Sequence, residues 1–270
     1  MGDTSMETDN PVVRVSIGSD ERPDEAQSVL STARDAAETI RIAGVGPTGA
    51  AELAPLVALT DGGTTSFHAH CSPETVREFV AALEDGNLPT DDAHAVVEHD
   101  AETTTLPVPK AGPLASGHRR MLARCGWAIP TAHNEREFVT EMARKNPTKA
   151  LNQVANTALL GRGRGDGQTD TLIAEGWSDT RDANGDPVVV INANESDPVA
   201  CGDRTLLEGA PIDVLDGALV VAAIVGSEDI VIYLNENDNL AARRIREAKN
   251  TITEVDLAGD VSIDFVTRVS

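Results

Sequence analysis

A run of four β-branched residues, Val188 to Ile191, is followed at once by a loop of polar side chains. The run is preceded by Gly185 to Pro187. A short apolar run between turn-forming residues and a polar loop predicts a buried parallel strand. The polar loop, Asn192 to Pro198, then lies at the carboxyl end of the strand, where open α/β sheets bind their ligands. The loop is therefore a candidate binding site. A polar turn that caps the next helix would show the same spacing, and this alternative stays open.

Helix and strand signals alternate from this loop to the end of the chain, and helical signals also precede it. In chain order they are helices over 134–146 and 147–160, a glycine-rich run over 159–167, the strand over 188–191, a helix over 212–225, a strand over 229–235, a helix over 238–250 and a strand over 261–269. Alternation of this kind predicts a mostly parallel sheet with right-handed crossovers. We assign residues 118–270 to this α/β domain.

The first part of the chain has a different order of elements. A strand begins at Val12, a helix with an apolar stripe follows over 23–40, and a short strand follows over 41–46. Two further short strands, over 56–60 and 64–70, are joined by the hairpin signal at 61–63. A second helix starts with Ser72 as its cap and Pro73 in its first turn. Strand, helix, strand, hairpin and helix form a thioredoxin-like order, which we assign to residues 12–88.

Two segments outside these domains have the composition of irregular chain. Residues 1–11 are polar and predict a disordered tail. Residues 89–117 are acidic and rich in proline and threonine, which predicts a linker. The predicted fold class is therefore α/β, with a thioredoxin-like domain followed by a mostly parallel α/β domain.

The charge of the chain restricts its partners and its surroundings. With 22 basic and 44 acidic residues, the net charge is -22, and nucleic acids or anionic membranes would be repelled. Only four of the basic residues are lysines: Lys110, Lys145, Lys149 and Lys249. An acidic surface poor in lysine suits concentrated salt, because salt screens the repulsion between like charges. We therefore expect an extremely halophilic source, most simply a haloarchaeon.

The cysteines and the hydropathy of the chain point to the cytoplasm. Cys71, Cys125 and Cys201 are widely spaced and odd in number, which is typical of a reducing compartment and not of a disulfide framework. No apolar run has the length of a membrane span, and no signal peptide is recognisable at the N-terminus. We expect a cytoplasmic protein, either free or at the periphery of a membrane complex.

Several motifs, taken in order, resemble those of a known family. They are RRMLARCG at 119–126, LLGRGRGDG at 159–167, NANESDP at 192–198 with Asp203 and Arg204, and VIYLNENDNLAARRIREA at 231–248. This order is similar to that of the NADH-binding, FMN-carrying flavoprotein subunit of respiratory complex I and of related soluble hydrogenases. The loop at 192–198 differs from the family pattern only by Asn194 for Asp and Asp197 for Glu. The resemblance extends over most of the chain from Val12 onward.

The resemblance implies a flavoprotein of the NADH dehydrogenase type. It implies that the glycine run and the polar loop bind FMN, that NADH is the substrate, and that electrons pass to a downstream carrier or a quinone reductase complex. The implied cofactor-binding residues are Gly161, Arg162, Gly163, Gly165, Asn192, Asn194, Glu195 and Ser196. Glycine suits this role because a missing Cβ lets the backbone approach a ligand. The implied partners are other subunits of an electron-transfer complex.

The chain also departs from the family pattern, which keeps a second interpretation open. Gly167 and Gln168 stand where the family has a Phe-Pro pair, and Pro47 and Ala51 stand at cysteine positions of a fused two-iron domain. The family continues beyond the position of Ser270 into a four-iron domain, so we expect a truncated flavin site and no iron–sulfur cluster in this chain. The alternative function is a non-catalytic remnant or assembly subunit. No catalytic residue is assigned.

One further set of side chains has the composition of a metal site. His68, His70 and Cys71 lie close together in the sequence, but no fourth ligand is near them. A strand end exposed to solvent explains this cluster more simply. We therefore predict no metal ligands in the chain.

Overall fold

The computed structural model describes residues 11–134, 137–161, 171–194 and 201–268. For residue 268, only the backbone is described. These residues form two compact units. The first comprises Met1–Glu135 and Val199–Ala210, and the second comprises Arg136–Pro198 and Pro211–Ser270. The division differs from the predicted boundary at residue 118, and it takes residues 199–210 out of the predicted second domain. In the described part of the chain, no helix is both long enough and apolar enough to cross a membrane.

The first unit is built on a five-stranded sheet. Its elements are β1 (Val12–Ser16), α1 (Pro23–Ala36), β2 (Arg41–Val45), β3 (Val57–Asp61), β4 (Thr64–His68), α2 (Pro73–Glu84), β5 (Ala95–Glu98) and α6 (Gly202–Gly209). The sheet order is β2-β1-β3-β4-β5, with β1 and β2 parallel and the other pairs antiparallel. The predicted order of strand, helix, strand, hairpin and helix is confirmed. Its assignment as thioredoxin-like stays a prediction.

Local sequence signals explain where α2 begins and which side α1 buries. Ser72 accepts a hydrogen bond from the backbone N–H of Thr75, and Pro73 occupies the first turn of α2, as predicted. The apolar stripe of α1 is buried in one core cluster with residues of the sheet. Its buried residues are Ala26, Val29, Leu30 and Ala33. The start of α2 and the buried face of α1 therefore follow from local sequence signals alone.

The segment predicted to be a linker, 89–117, is partly built into the first unit. Its residues Ala95–Glu98 form β5, which pairs with β4, and its Leu106 and Leu114 lie in a core cluster with Phe67 and Trp127. Single apolar residues separated by irregular chain have no periodicity. Their burial depends on distant side chains, so the sequence alone did not reveal it.

The carboxylate of Glu84 closes the loop between α1 and β2. It accepts hydrogen bonds from the Thr39 hydroxyl at 2.5 Å and from the backbone N–H groups of Thr39 and Glu38, both at 2.8 Å, and of Ile40 at 3.2 Å. The Thr39 hydroxyl, followed by these amides, holds the pKa of Glu84 down at about 2. The carboxylate is therefore charged in the folded protein over almost the whole acidic range.

This arrangement predicts a pH-dependent contribution to stability. A carboxyl group whose pKa is depressed on folding stabilises the protein fully above its ordinary value of 4.5, and the contribution is lost as the pH falls through about 2. We expect Glu84→Gln to melt below the wild type at pH 7, and the two melting temperatures to converge between pH 4.5 and pH 2. Thermal scans of both proteins check this, with Glu78→Gln on the exposed side of α2 as the matched control. A difference that stays constant down to pH 2 would contradict it.

The second unit contains the predicted parallel sheet. Its elements are α3 (Thr140–Lys145), α4 (Pro147–Asn156), α5 (Ile173–Asp182), β6 (Val188–Ala193), α7 (Pro211–Val225), β7 (Asp229–Asn235), α8 (Asn239–Glu254) and β8 (Ser262–Arg268). The strand order is β6-β7-β8, and both pairs are parallel. The prediction of a parallel sheet with alternating strands and helices is confirmed.

The helices α7 and α8 pack on the same face of this sheet. Val189 packs against α7, and Phe265 lies under Arg246 of α8; the strand register places both side chains on one side. This follows from the topology, because two successive right-handed crossovers in one direction put both helices on one face. In the described chain, Val188 and Val190 on the opposite face are 50% and 62% exposed. The strand over 188–191 is therefore confirmed, whereas its predicted burial is wrong for the face that carries Val188 and Val190.

Candidate functional site

The glycine-rich loop starts from a base that the structure holds together on both sides. Leu160 and Leu172 form an isolated antiparallel bridge. Around it, Gly161 N–H donates to the carbonyl of Thr171 at 2.9 Å, and Ile173 N–H donates to the carbonyl of Leu159 at 3.0 Å. The two ends of the loop are therefore fixed next to each other. Gly161 lies at this base, whereas the predicted site residues Arg162, Gly163 and Gly165 lie outside the described residues.

The second part of the predicted site lies at the carboxyl end of β6. Asn192 is an exposed residue of the strand, and its side-chain oxygen accepts a hydrogen bond from the backbone N–H of Asn194 at 3.2 Å. The side-chain oxygen of Asn194 in turn accepts from the side-chain amide of Asn235 at 3.1 Å. Glu195 and Ser196, the other two predicted residues, lie outside the described residues.

Asn235 is a member of this group that the sequence reasoning did not single out. It is the last residue of β7, and β7 runs parallel to β6 as its neighbour. Carboxyl ends of neighbouring parallel strands meet at one edge of a sheet, so polar residues that end two such strands become neighbours. The pairing of the strands over 188–191 and 229–235 was the signal that would have identified Asn235.

Asn192, Asn194 and Asn235 place three neutral amides at this edge, and the exposed Glu236 follows directly after β7. Each asparagine side chain offers an N–H donor and a carbonyl acceptor. Such a set suits the hydroxyl groups and the ring imide of FMN, which also combine donors and acceptors. Among the described residues, a Cβ built on Gly161 would have no neighbour closer than 3.7 Å, so packing against them does not require glycine there. The described residues thus fit the uncharged parts of a flavin.

The cluster of His68, His70 and Cys71 is occupied by interactions within the protein. The thiol of Cys71 donates to the carbonyl of His68, and the His68 ring lies 3.2 Å from the carbonyl oxygen of Pro89. Burial raises the pKa of Cys71 to about 12 and lowers the pKa of His68. His68 is buried, which corrects the expectation of a solvent-exposed strand end. Among the residues that the structure describes, no three His, Cys, Asp or Glu side chains form a group able to hold a metal ion.

The loop that carries Pro47 is packed and hydrogen-bonded within the first unit. A Cβ built on Gly18 would lie 2.4 Å from the Cβ of Pro47, so the two chain segments touch there. The next two backbone N–H groups, of Thr48 and Gly49, donate to the carboxylate of Glu21 at 2.9 and 3.0 Å. Burial raises the pKa of Glu21 against the effect of these donors. The loop offers no thiolate, and its amides are already used; the absence of an iron–sulfur cluster stays a prediction.

Two solved structures are similar to this chain. The chain is similar to NAD+-reducing NiFe hydrogenase in the H2-reduced state, with 15% identity and a TM-score of 0.45, and in the air-oxidized state, with 16% identity and a TM-score of 0.44. In both cases the similarity covers 97% of this chain and 43% of the other, so this chain spans less than half the length of those chains.

A family match covers the second unit more specifically. The family described as the Nuo51 FMN-binding domain matches residues 156–268. The matched segment contains the base of the glycine-rich loop, the carboxyl end of β6 and the whole of β7 and β8. Residues 156–268 of this chain are therefore similar to the Nuo51 FMN-binding domain family.

Proposed function

We propose that the chain binds FMN at the carboxyl edge of β6 and β7 and acts as a flavoprotein of the NADH dehydrogenase type. The observation that carries the proposal is the hydrogen bond between Asn194 and Asn235 in a segment similar to the FMN-binding family. It joins polar side chains from two adjacent parallel strands at the edge where such sheets bind ligands.

The described residues would hold the flavin by its uncharged groups. Asn194 and Asn235 present amide groups at adjacent strand ends, and Asn192 holds the backbone N–H of Asn194 in place. The predicted Gly161, Arg162, Gly163 and Gly165 would approach it from the glycine-rich loop, and Glu195 and Ser196 would complete the polar loop. Bound FMN would supply the chemistry of accepting a hydride from NADH and releasing electrons, while the protein binds and orients it.

The partners of such a protein would be other electron-transfer subunits. The similar chains belong to an NAD+-reducing hydrogenase and are more than twice as long as this chain. We therefore propose that a second subunit or segment supplies the electron acceptor. NADH as the substrate, a downstream carrier or quinone reductase complex as the acceptor, and a place in the cytoplasm or at the periphery of a membrane complex all form part of this proposal.

The experiment that tests FMN binding is a titration of the full chain followed by the quenching of flavin fluorescence. We expect saturable binding by the wild type and a dissociation constant about tenfold higher for Asn194→Ala and for Asn235→Ala, since each removes one buried or partly buried hydrogen-bonding group from the site. Asn152→Ala is the matched control, because Asn152 is exposed on α4 in the same unit.

Two results would count against the proposal. Binding that is equally strong in Asn194→Ala, Asn235→Ala and Asn152→Ala would place the flavin elsewhere in the chain. No binding by the wild type, even at molar salt, would favour the non-catalytic assembly role over the flavoprotein role. A visible flavin spectrum in the purified protein would exclude that alternative directly.

A further inference from the structure

We propose that Tyr233 is the aromatic platform on which the isoalloxazine ring of FMN rests. In this view the amides of Asn194 and Asn235 bind the polar end of the ring, and the phenol ring of Tyr233 covers its apolar end. The inference rests on the proposed function, since it concerns one part of the same cofactor. All the residues that form the platform are described by the structure and belong to the second unit.

The sheet carries Tyr233 on the face that α7 and α8 leave open. Successive strand residues point to opposite faces of a sheet. Ile232, the residue before Tyr233 in β7, is fully buried and is paired with Phe265, on the side of the two helices. Tyr233 therefore points to the opposite face, which also carries the exposed Val190, and its side chain is only half-buried.

The strand register places Tyr233 at the carboxyl end of this face, between two side chains. Its partners in the sheet are Asn192 of β6 and Val266 of β8, and paired residues of neighbouring strands share a face. Two residues further along β7 comes Asn235, on the same face, and it donates a hydrogen bond to Asn194. The face thus ends in two rows, an inner row of Asn192, Tyr233 and Val266 and an outer row of Asn194 and Asn235.

The polarity of the two rows matches that of an isoalloxazine. The outer row offers amide donors and acceptors, and the inner row offers an aromatic ring beside an aliphatic side chain. The rows lie about 7 Å apart, because each strand residue advances by about 3.3 Å. An isoalloxazine has its carbonyl and imide groups at one end and a dimethylbenzene ring at the other, and its three fused rings are long enough to cover both rows.

The side chain of Tyr233 is free to make this contact. Among the residues that the structure describes, its hydroxyl group has no hydrogen-bond partner, so the fold does not use it. Two exposed carboxylates flank the platform: Asp264 lies one row before Val266, and Glu236 follows β7. The oxidised isoalloxazine is uncharged and is not repelled by them, whereas the phosphate of FMN is repelled and has to lie elsewhere.

The test compares the wild type with Tyr233→Phe and Tyr233→Leu, both as full chains. Calorimetry measures the affinity for FMN, and the emission of the flavin at saturation reports on the contact. A phenol ring that touches an oxidised flavin quenches its fluorescence by photo-induced electron transfer, which phenylalanine and leucine do not support. Tyr233 is the only tyrosine of the chain, so either substitution removes every phenol.

We expect the two substitutions to have different effects. Tyr233→Phe keeps the aromatic surface, so its affinity should stay within about twofold of the wild type while the bound flavin becomes brighter. Tyr233→Leu should raise the dissociation constant about tenfold, because the stacking surface is lost. Val188→Ala is the matched control, since Val188 lies on the same face but about 13 Å from Asn192 along β6. Circular dichroism verifies the fold, and the emission of Tyr233→Phe decides if Tyr233→Leu does not fold.

The outcomes separate this inference from the proposed function. Bound flavin that is equally bright in the wild type and Tyr233→Phe would overturn the role of Tyr233 and leave the FMN site at Asn194 and Asn235 intact. Wild-type affinity in Tyr233→Leu would have the same consequence. Equal weakening by Val188→Ala would show that the face acts only through its general packing, and would also overturn the platform. No FMN binding by the wild type would overturn both proposals together.

Discussion

Replacing Asp216 by alanine is expected to lower the free energy of unfolding of the second unit by about 3–5 kcal/mol. Asp216 is a buried residue of α7, with 1% of its surface exposed. Its carboxylate accepts hydrogen bonds from the backbone N–H groups of Val139 and Thr140 at 3.2 and 3.1 Å, and from the Thr140 hydroxyl at 2.6 Å. It therefore caps α3 from another helix.

The expected loss is large because two of the three donors belong to Thr140, which is buried. The Thr140 side chain is fully buried, so its hydroxyl and amide would remain without the acceptor that Asp216 provides, at about 1–3 kcal/mol for each orphaned group. The negative charge also lies at the N-terminus of α3, where it interacts favourably with the helix dipole. Asp216→Asn keeps one acceptor oxygen and loses the charge, so we expect an intermediate loss.

Urea unfolding followed by tryptophan fluorescence measures this effect. The chain has two tryptophans, Trp127 in the first unit and Trp177 in the second. In a Trp127→Phe background the signal reports only on the second unit. Asp260→Ala, an exposed aspartate of the same unit, is the matched control and should change the stability by less than about 0.5 kcal/mol. A loss below 1 kcal/mol for Asp216→Ala would show that α3 does not depend on this cap.

The second large effect is expected from Gly46→Ala, in the first unit. The new Cβ would lie 2.2 Å from the Cα of Gly209 and 3.1 Å from the carbonyl oxygen of Glu208. Both neighbours are backbone atoms, so no side-chain rotation can relieve the clash. Overpacking of this kind costs about 1–3 kcal/mol, and more when backbone has to move. We expect a loss at the upper end of that range, together with faster amide exchange in α6.

The control for this substitution lies in α6, the helix that Gly46 contacts. Gly202→Ala adds the same methyl group where no atom of a described residue lies within 4 Å, and we expect a change of less than about 0.5 kcal/mol. Unfolding of both variants is followed through Trp127 in a Trp177→Phe background. Equal stability of Gly46→Ala and Gly202→Ala would mean that α6 does not rest on the loop at Gly46.

The sequence alone determined those features of this protein that depend on residues close together in the sequence. The cap at Ser72 and Pro73, the buried stripe of α1 and the alternation of strands and helices after Val188 are signals that repeat or end within a few residues. They reflect local backbone preferences and the side-chain periods of helix and strand, so they do not depend on what the rest of the chain does. The family resemblance likewise followed from short motifs, and the family match at 156–268 confirms it.

The tertiary structure alone decided which distant residues meet. Asn194 meets Asn235 because β6 and β7 are neighbours, and Asp216 caps α3 because α7 lies beside it. The placement of α6 in the first unit and the burial of Leu106 likewise depend on surfaces far away in the sequence. The exposure of Val188 and Val190 in β6 also could not be predicted from nearby residues. An apolar run fixes a strand, but whether both of its faces are covered depends on the direction of the crossovers, which place α7 and α8 on one side.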